Sequence, residues 1–148
     1  MTPITRRAAL GLMGAAAGGP LWAEPVFLNG MGVAINGYDP TGFIDMQEAI
    51  RGRMEHQIER EDGLWWFASA ANRRRFEADP DRYIPQFGGY CAQGIALGFK
   101  RRSDPTLWVL IDGKVYMHYS IPDQNRWAAD VRGSIAKAEE NWPTLKDL

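Results

Sequence analysis

Two Asp-Gly pairs, Asp62-Gly63 and Asp112-Gly113, each separate two short stretches rich in apolar and aromatic residues. This dipeptide accepts the positive backbone angles of a two-residue loop, and it is a strong local signal for a tight β-hairpin. The flanking stretches predict one hairpin over residues 54–67 and a second over residues 108–119. We therefore expect two short hairpins.

The loop positions also predict which side chains share a face, because side chains alternate along a strand. A loop at Asp62-Gly63 pairs Ile58 with Phe67. One face of the first hairpin then carries Met54, His56, Ile58, Trp65 and Phe67. One face of the second carries Trp108, Leu110, Val115 and Met117. His118 falls on the opposite face of the second hairpin.

Helix signals occupy the rest of the chain. Ser69 is placed to cap a helix that ends before Pro80. The paired glycines Gly88-Gly89 allow a sharp entry into a small helix that reaches about residue 97, with Cys91 in its first turn. Two further helical patterns cover residues 123–130 and 134–141. The expected fold is a small single α+β domain, in which two short β-hairpins pack against several short helices.

The N-terminus has the pattern of an export signal. Arg6 and Arg7 precede a short apolar run that is interrupted by glycines and closed by Pro20, a twin-arginine pattern of bacterial export. A membrane span needs about 20 continuous apolar residues, so the run is expected to be cleaved rather than to anchor the protein. Residues 1–23 are therefore interpreted as a signal peptide and residues 24–148 as one periplasmic domain.

The charge balance excludes one class of partner. Without Arg6 and Arg7, the 17 basic residues fall to 15 against 18 acidic residues. A mature chain that is slightly acidic is an unsuitable binder of nucleic acid. No glycine loop of the phosphate-binding type and no zinc-protease helix motif occurs in the sequence.

Several segments together resemble the YHS domain family, in its exported single-domain subgroup with a twin-arginine signal. They are residues 33–40 (VAINGYDP), 66–76 (WFASAANRRRF), 79–92 (DPDRYIPQFGGYCA), 112–116 (DGKVY) and 141–143 (NWP). The family occurs beside heavy-metal transport and metal-dependent oxidation systems, so the resemblance implies metal handling. The chain departs from cysteine-rich members, because Ala68 and Ala71 stand where those members carry cysteines. A thiolate cage is ruled out.

Cys91 is the single cysteine, so it cannot form an internal disulfide. At a helix N-terminus the backbone N–H groups and the positive helix end favour a thiolate, and we expect a lowered pKa. Our first hypothesis is a soft metal site with Cys91 and His56 as ligands and Met54 as a possible third, for copper first and zinc second. The alternatives are a core histidine at His56, ordinary packing of Met54, and a buried, inert Cys91.

The second hypothesis is a module that binds a protein or a small ligand without metal. Its aromatic surface would comprise Tyr38, Trp66, Tyr90 and Tyr116, with His118 as a further contact. A third hypothesis makes Cys91 a nucleophile and His56 its base, but no Asn or Asp stands at a spacing that identifies an orienting residue. We therefore expect an accessory or binding module rather than an enzyme. Asp39 and Asp112 are interpreted as turn residues.

Overall fold

The computed structural model describes residues 24–148. The predicted signal peptide, residues 1–23, lies outside the described residues. The strands are β1 (Arg53–Arg60), β2 (Gly63–Phe67), β3 (Asp104–Ile111) and β4 (Lys114–His118). The helices are α1 (Ala70–Ala78), α2 (Pro80–Tyr83), α3 (Ala92–Leu97), α4 (Ile121–Ala129) and α5 (Val131–Leu145). A single π-helical turn, Gly42–Met46, lies within residues 41–53, where the sequence signal is ambiguous.

The strands form two separate antiparallel sheets of two strands each, β1-β2 and β3-β4. With the helices they make an α+β fold, which confirms the predicted fold class. Two apolar clusters fill the interior. The first lies between the two hairpins and α1, with Trp65, Phe67, Phe76, Val115 and Met117 among its members. The second lies between the other face of β4 and helices α3, α4 and α5, with Tyr116, Trp127 and Ala138 among its members.

The second hairpin has the predicted register. Ile111 pairs with Lys114 and Trp108 pairs with Met117. Asp112, the first loop residue, has a φ of 52°, the left-handed conformation that a two-residue hairpin loop requires. The face of this hairpin that was predicted to be apolar packs into the first cluster, and Tyr116 and His118 lie on the other face.

The predicted register of the first hairpin is wrong. Arg60 pairs with Gly63 and Ile58 pairs with Trp65, so the loop is one residue earlier than expected. The carboxylate of Asp62 accepts a hydrogen bond from Nε1 of Trp65 at 2.9 Å, and this contact holds the observed loop. The register also shifts between Arg53 and Ile58. Simple alternation therefore fails over the bulged segment, residues 54–57.

The helix signals are confirmed with small differences in the bounds. Oγ of Ser69 accepts the backbone N–H of Asn72 at 3.1 Å, as a capping residue does. Ser120 and Asp130 cap α4 and α5 in the same way. Cys91 is the residue that immediately precedes α3. Local capping chemistry therefore sets where most of these helices begin.

Two left-handed turns flank the N-terminal segment of the described chain. In the first, Ile35–Gly37, the φ angles are 44°, 53° and 81°. In the second, residues 87–89, they are 56°, 63° and 82°. A β-branched residue such as Ile35 rarely adopts positive φ, so its surroundings must hold it there. Residues 33–35 form isolated bridges and the start of this turn rather than a regular strand.

Backbone hydrogen bonds and close packing connect the two left-handed turns. Phe27 donates its backbone N–H to Gly88 and accepts one from Ile35, so the N-terminal segment links the two turns. A Cβ at Gly88 would lie 1.8 Å from the carbonyl oxygen of Pro25, and one at Gly89 would lie 2.5 Å from Cγ2 of Ile35. Only glycine therefore fits at these two positions.

Asp39 is fully buried and does more than form a turn. Its carboxylate accepts hydrogen bonds from N and Oγ1 of Thr41 at 2.9 and 2.7 Å. It also accepts the backbone N–H of Ala68 at 2.8 Å and Nδ2 of Asn72 at 2.9 Å. The carboxylate thus joins its own turn to the chain between β2 and α1 and to the first turn of α1.

Replacing Asp39 with asparagine tests this contact. The change keeps the shape of the side chain but converts one acceptor oxygen into a donor, which then faces another donor. We expect the free energy of unfolding in urea to fall by about 2–3 kcal/mol. The control is Asp112→Asn, at a side chain that is 72% exposed, where we expect a change within about 0.5 kcal/mol. Equal losses in the two variants would contradict the assigned role of Asp39.

Candidate functional site

The three residues predicted to bind copper lie on two different elements, with Cys91 directly before α3 and His56 and Met54 on β1. Cys91 is fully buried and forms a β-bridge with Met117 of β4. His56 is half-buried, and Met54 is 60% exposed, both in the bulged segment of β1. In residues 24–148 no group of three or more His, Cys, Asp and Glu side chains is arranged to hold a metal ion. The bulge between Arg53 and Ile58 removes the simple alternation on which the predicted placement of Met54 and His56 on the apolar face depended.

The surroundings of Cys91 correct the expected pKa. Burial raises the pKa of the thiol, even though the backbone N–H groups of Gly94, Tyr119 and Gln93 are directed at the sulfur and act in the opposite direction. The carboxylate of Asp123 also raises it. Desolvation therefore outweighs the favourable position before α3. At neutral pH the side chain is a protonated thiol.

His118 is the other buried group of this region. It is fully buried on the second face of β4, and its ring centroid lies 5.3 Å from that of Trp127 on α4. Among residues 24–148, neither Nδ1 nor Nε2 finds a hydrogen-bond partner, and the same is true of Nε1 of Trp127 and Oε1 of Gln93. Burial lowers the pKa of His118 to about 4, with Asp123 acting against this shift. The imidazole is therefore neutral, with an available lone pair.

Cys91 and His118 both lie near the end of β4, because Cys91 forms its bridge with Met117, the residue before His118. The backbone N–H that reaches the sulfur of Cys91 belongs to Tyr119, the residue after His118. Asp123, in the first turn of α4, acts electrostatically on both groups. We call Cys91, Gln93, His118, Asp123 and Trp127 the Cys–His cluster. The bridge between Cys91 and Met117 brings Cys91 to the strand that carries His118, and this pairing is not visible in the sequence.

Asp123 carries the negative charge of the Cys–His cluster. Its side chain is about 5% exposed and forms ion pairs with Arg101 and Arg126, each at 3.6 Å. Its Oδ2 also accepts the hydroxyl of Ser120 at 2.8 Å. These partners hold the carboxylate in place beside two neutral groups that are able to ligate a metal ion.

The predicted aromatic surface is wrong for two of its four members. Tyr90 and Tyr116 are buried in the second apolar cluster. Burial raises the pKa of Tyr90 to about 12, and its hydroxyl donates to the carbonyl of Glu24 at 2.8 Å. Tyr38 and Trp66 are half-buried, and the ring of Tyr38 lies under the guanidinium of Arg51. The side chains of Tyr90 and Tyr116 build the core and cannot contribute to a binding surface.

A polar groove of about 690 Å³ opens on another part of the surface. Its walls come from residues 27–30 and Asn36 on one side and from residues 102–105 and Tyr119 on the other. The volume lies within the range of small-molecule sites. No local sequence signal indicates this groove, because the left-handed turn at Ile35–Gly37 that places Asn36 there depends on tertiary packing.

Comparison of the chain with protein-family models, with curated proteins and with solved structures gave no match. The resemblance to the YHS family therefore rests on the sequence segments quoted above. Within residues 24–148, no helix combines the length and the apolar character that crossing a membrane requires.

The burial of Cys91 predicts slow alkylation of its thiol. Because the thiol is fully buried and its pKa is raised, we expect alkylation by iodoacetamide at pH 7 to be at least about 100-fold slower in the folded protein than in urea, since the thiolate is the reactive form. Mass spectrometry of timed samples measures the two rates. Fast labelling of the folded protein at mildly acidic pH would instead support a thiol nucleophile.

His118 predicts a loss of stability in acid. Its pKa is about 4 in the folded protein against about 6.5 in an unfolded chain, so the unfolded state gains a proton first as the pH falls. The contribution is complete above pH 6.5 and is lost between pH 6.5 and 4, in an amount on the order of 3 kcal/mol. Urea unfolding at several pH values measures it.

Two variants test whether His118 causes this loss of stability in acid. The sequence has two histidines, so His118→Phe is expected to remove most of the histidine-dependent decline, whereas His56→Gln is expected to leave it in place. A decline that persists unchanged in His118→Phe would show that other groups cause it.

Proposed function

We propose that the protein is an exported accessory module that binds a soft metal ion, Cu(I) in the first instance, through Cys91 and His118. The observation that carries the proposal is the fully buried, neutral imidazole of His118, whose two nitrogens have no hydrogen-bond partner among residues 24–148. The bridge between Cys91 and Met117 brings the single cysteine to the same strand. His118 replaces His56 as the nitrogen ligand of the sequence-based hypothesis.

The available ligands fit Cu(I) better than zinc. Thiolate sulfur and imidazole nitrogen are soft and borderline ligands that suit Cu(I), and Cu(I) accepts two ligands. Structural zinc sites require four ligands. Residues 24–148 offer no group of three or more His, Cys, Asp and Glu side chains with the arrangement of a metal site. Zinc therefore remains the second choice.

The charges around the Cys–His cluster favour a cation. Asp123 raises the pKa of Cys91 and opposes the lowering of the pKa of His118, so its carboxylate disfavours negative charge at Cys91 and favours positive charge at His118. A bound monovalent cation would displace the thiol proton. The backbone N–H groups of Gly94, Tyr119 and Gln93 are in place to stabilise the resulting thiolate.

The burial of Cys91 and His118 favours a module that stores or transfers a metal ion. Cys91 and His118 are both fully buried, so a metal ion reaches them only when this end of the structure opens locally. Uptake is expected to be slow, which suits storage or transfer rather than turnover. The raised pKa of Cys91 also argues against use of the thiol as a nucleophile. We therefore propose an accessory role rather than an enzymatic one, in the periplasm if residues 1–23 are cleaved as a signal peptide.

Anaerobic titration of the reduced protein with Cu(I), in competition with a chromophoric chelator, tests the proposal. We expect one Cu(I) per chain with slow equilibration. Binding should be lost in Cys91→Ala and weakened at least about tenfold in His118→Phe, which retains a ring beside Trp127.

The matched control is His56→Ala, which should bind Cu(I) as the unmodified protein does. Unfolding in urea establishes that each variant is folded before the titration. Loss of binding in His56→Ala with retention in His118→Phe would restore the sequence-based ligand set and overturn the present one. Failure of the folded, unmodified protein to compete with the chelator would overturn the metal function itself.

A further inference from the structure

The polar groove defined by residues 27–30, Asn36, residues 102–105 and Tyr119 takes no part in the proposed metal site. Its two walls differ in chemistry. One wall carries the carboxamides of Asn29 and Asn36, and the other carries the charged side chains of Arg102 and Asp104. Ser103 between them is turned inward, where its hydroxyl donates to the carbonyl of Gly89 at 2.6 Å.

Arg102 and Asp104, the two charged residues of the groove, do not form an ion pair with each other. Arg102 forms no ion pair with any carboxylate of residues 24–148; its guanidinium lies 5.6 Å from the ring centroid of Tyr119. Oδ1 of Asp104 accepts N and Oγ1 of Thr106 at 3.0 and 2.7 Å, which leaves Oδ2 free. One wall of the groove therefore presents a cation and an anion that no ion pair within residues 24–148 neutralises, with Arg102 hydrogen-bonded to the neutral hydroxyl of Tyr119.

Arg102 is accompanied by further positive charge. The guanidinium of Arg101 lies 3.6 Å from the ring centroid of Tyr119. Hydrogen bonds from Arg102 and Arg101 to the hydroxyl of Tyr119 lower the pKa of that tyrosine. Arg101 is already paired with Asp123, so Arg102 carries the positive charge of the groove lining that no carboxylate of residues 24–148 pairs with.

The opposite wall is held in place at an energetic cost. Ile35 and Asn36 both have positive φ, and the side chain of Ile35 is fully buried while Asn36 is exposed at the groove. Nδ2 of Asn29 donates to Oδ1 of Asn36 at 3.3 Å, and Oδ1 of Asn29 accepts the backbone N–H groups of Met31 and Val33. No hydrogen bond within residues 24–148 uses the amide nitrogen of Asn36, a residue that lines the groove. Strain of this kind is characteristic of binding sites.

We propose that the groove binds a small zwitterion of the α-amino acid type. Arg102 pairs with the carboxylate of the ligand and Asp104 with its ammonium group, as charge-assisted hydrogen bonds require. The amide nitrogen of Asn36 donates to a polar atom of the ligand from the other side. The volume of about 690 Å³ accommodates an amino acid with its side chain.

Thermal shift and calorimetric titration test the proposal, with the twenty L-amino acids added singly at about 10 mM, which detects a Kd near 1 mM. We expect at least one to bind. Its N-acetyl derivative, which lacks the ammonium group, and its amide, which lacks the carboxylate, should each bind at least about tenfold more weakly. Arg102→Gln and Asp104→Asn should each weaken binding by a similar factor, and asparagine at residue 104 keeps the acceptor for Thr106.

Arg74→Gln is the matched control, because Arg74 is an exposed arginine on α1 away from the groove residues; it should bind as the unmodified protein does. Absence of binding for all twenty amino acids would overturn the proposal. Binding that Arg102→Gln and Asp104→Asn leave unchanged would also overturn it, as would equal binding of the N-acetyl derivative. The proposed Cu(I) site is independent of these outcomes, since Cys91→Ala should retain amino acid binding.

Discussion

The buried carboxylate of Asp39 is the contact on which the arrangement of the first half of the domain depends. Its four hydrogen bonds reach its own turn, the chain between β2 and α1, and the first turn of α1. A buried charge without hydrogen bonds is costly, so the carboxylate is stable only when all three segments are in place. This requirement positions α1 against the first hairpin, and Phe76 can then pack on Trp65 and Phe67.

The two left-handed turns connect this half to the second. Gly89 approaches the side chain of Ile35 because neither a Cβ nor a larger group is present at residue 89. The same approach brings Tyr90 and Cys91 alongside β4, where Cys91 forms its bridge with Met117. The turn at Ile35–Gly37 exposes Asn36 to the groove. Both candidate sites therefore depend on backbone conformations that glycine and tight packing make possible.

The features that sequence predicted well are those with local causes. Asp112-Gly113 and the capping residue Ser69 act on their own neighbours, and the second hairpin and α1 follow. The first hairpin was mispredicted because the side chain of Asp62 bonds to Trp65 and because β1 contains a bulge. The exposure of Tyr90 and Tyr116 and the pKa of Cys91 were also mispredicted, since each depends on which distant segment covers the residue.

Burial of the Cys–His cluster disfavours catalysis by a thiolate and an imidazole base, but it does not disfavour the metal binding that we propose in the same way. A nucleophile needs a thiolate, and a general base needs an imidazole that can accept a proton near neutral pH. Desolvation raises the pKa of Cys91 and lowers that of His118, so it opposes both. The soft cation that we propose would be affected differently, because it would bind the neutral imidazole directly, displace the thiol proton and be attracted by Asp123.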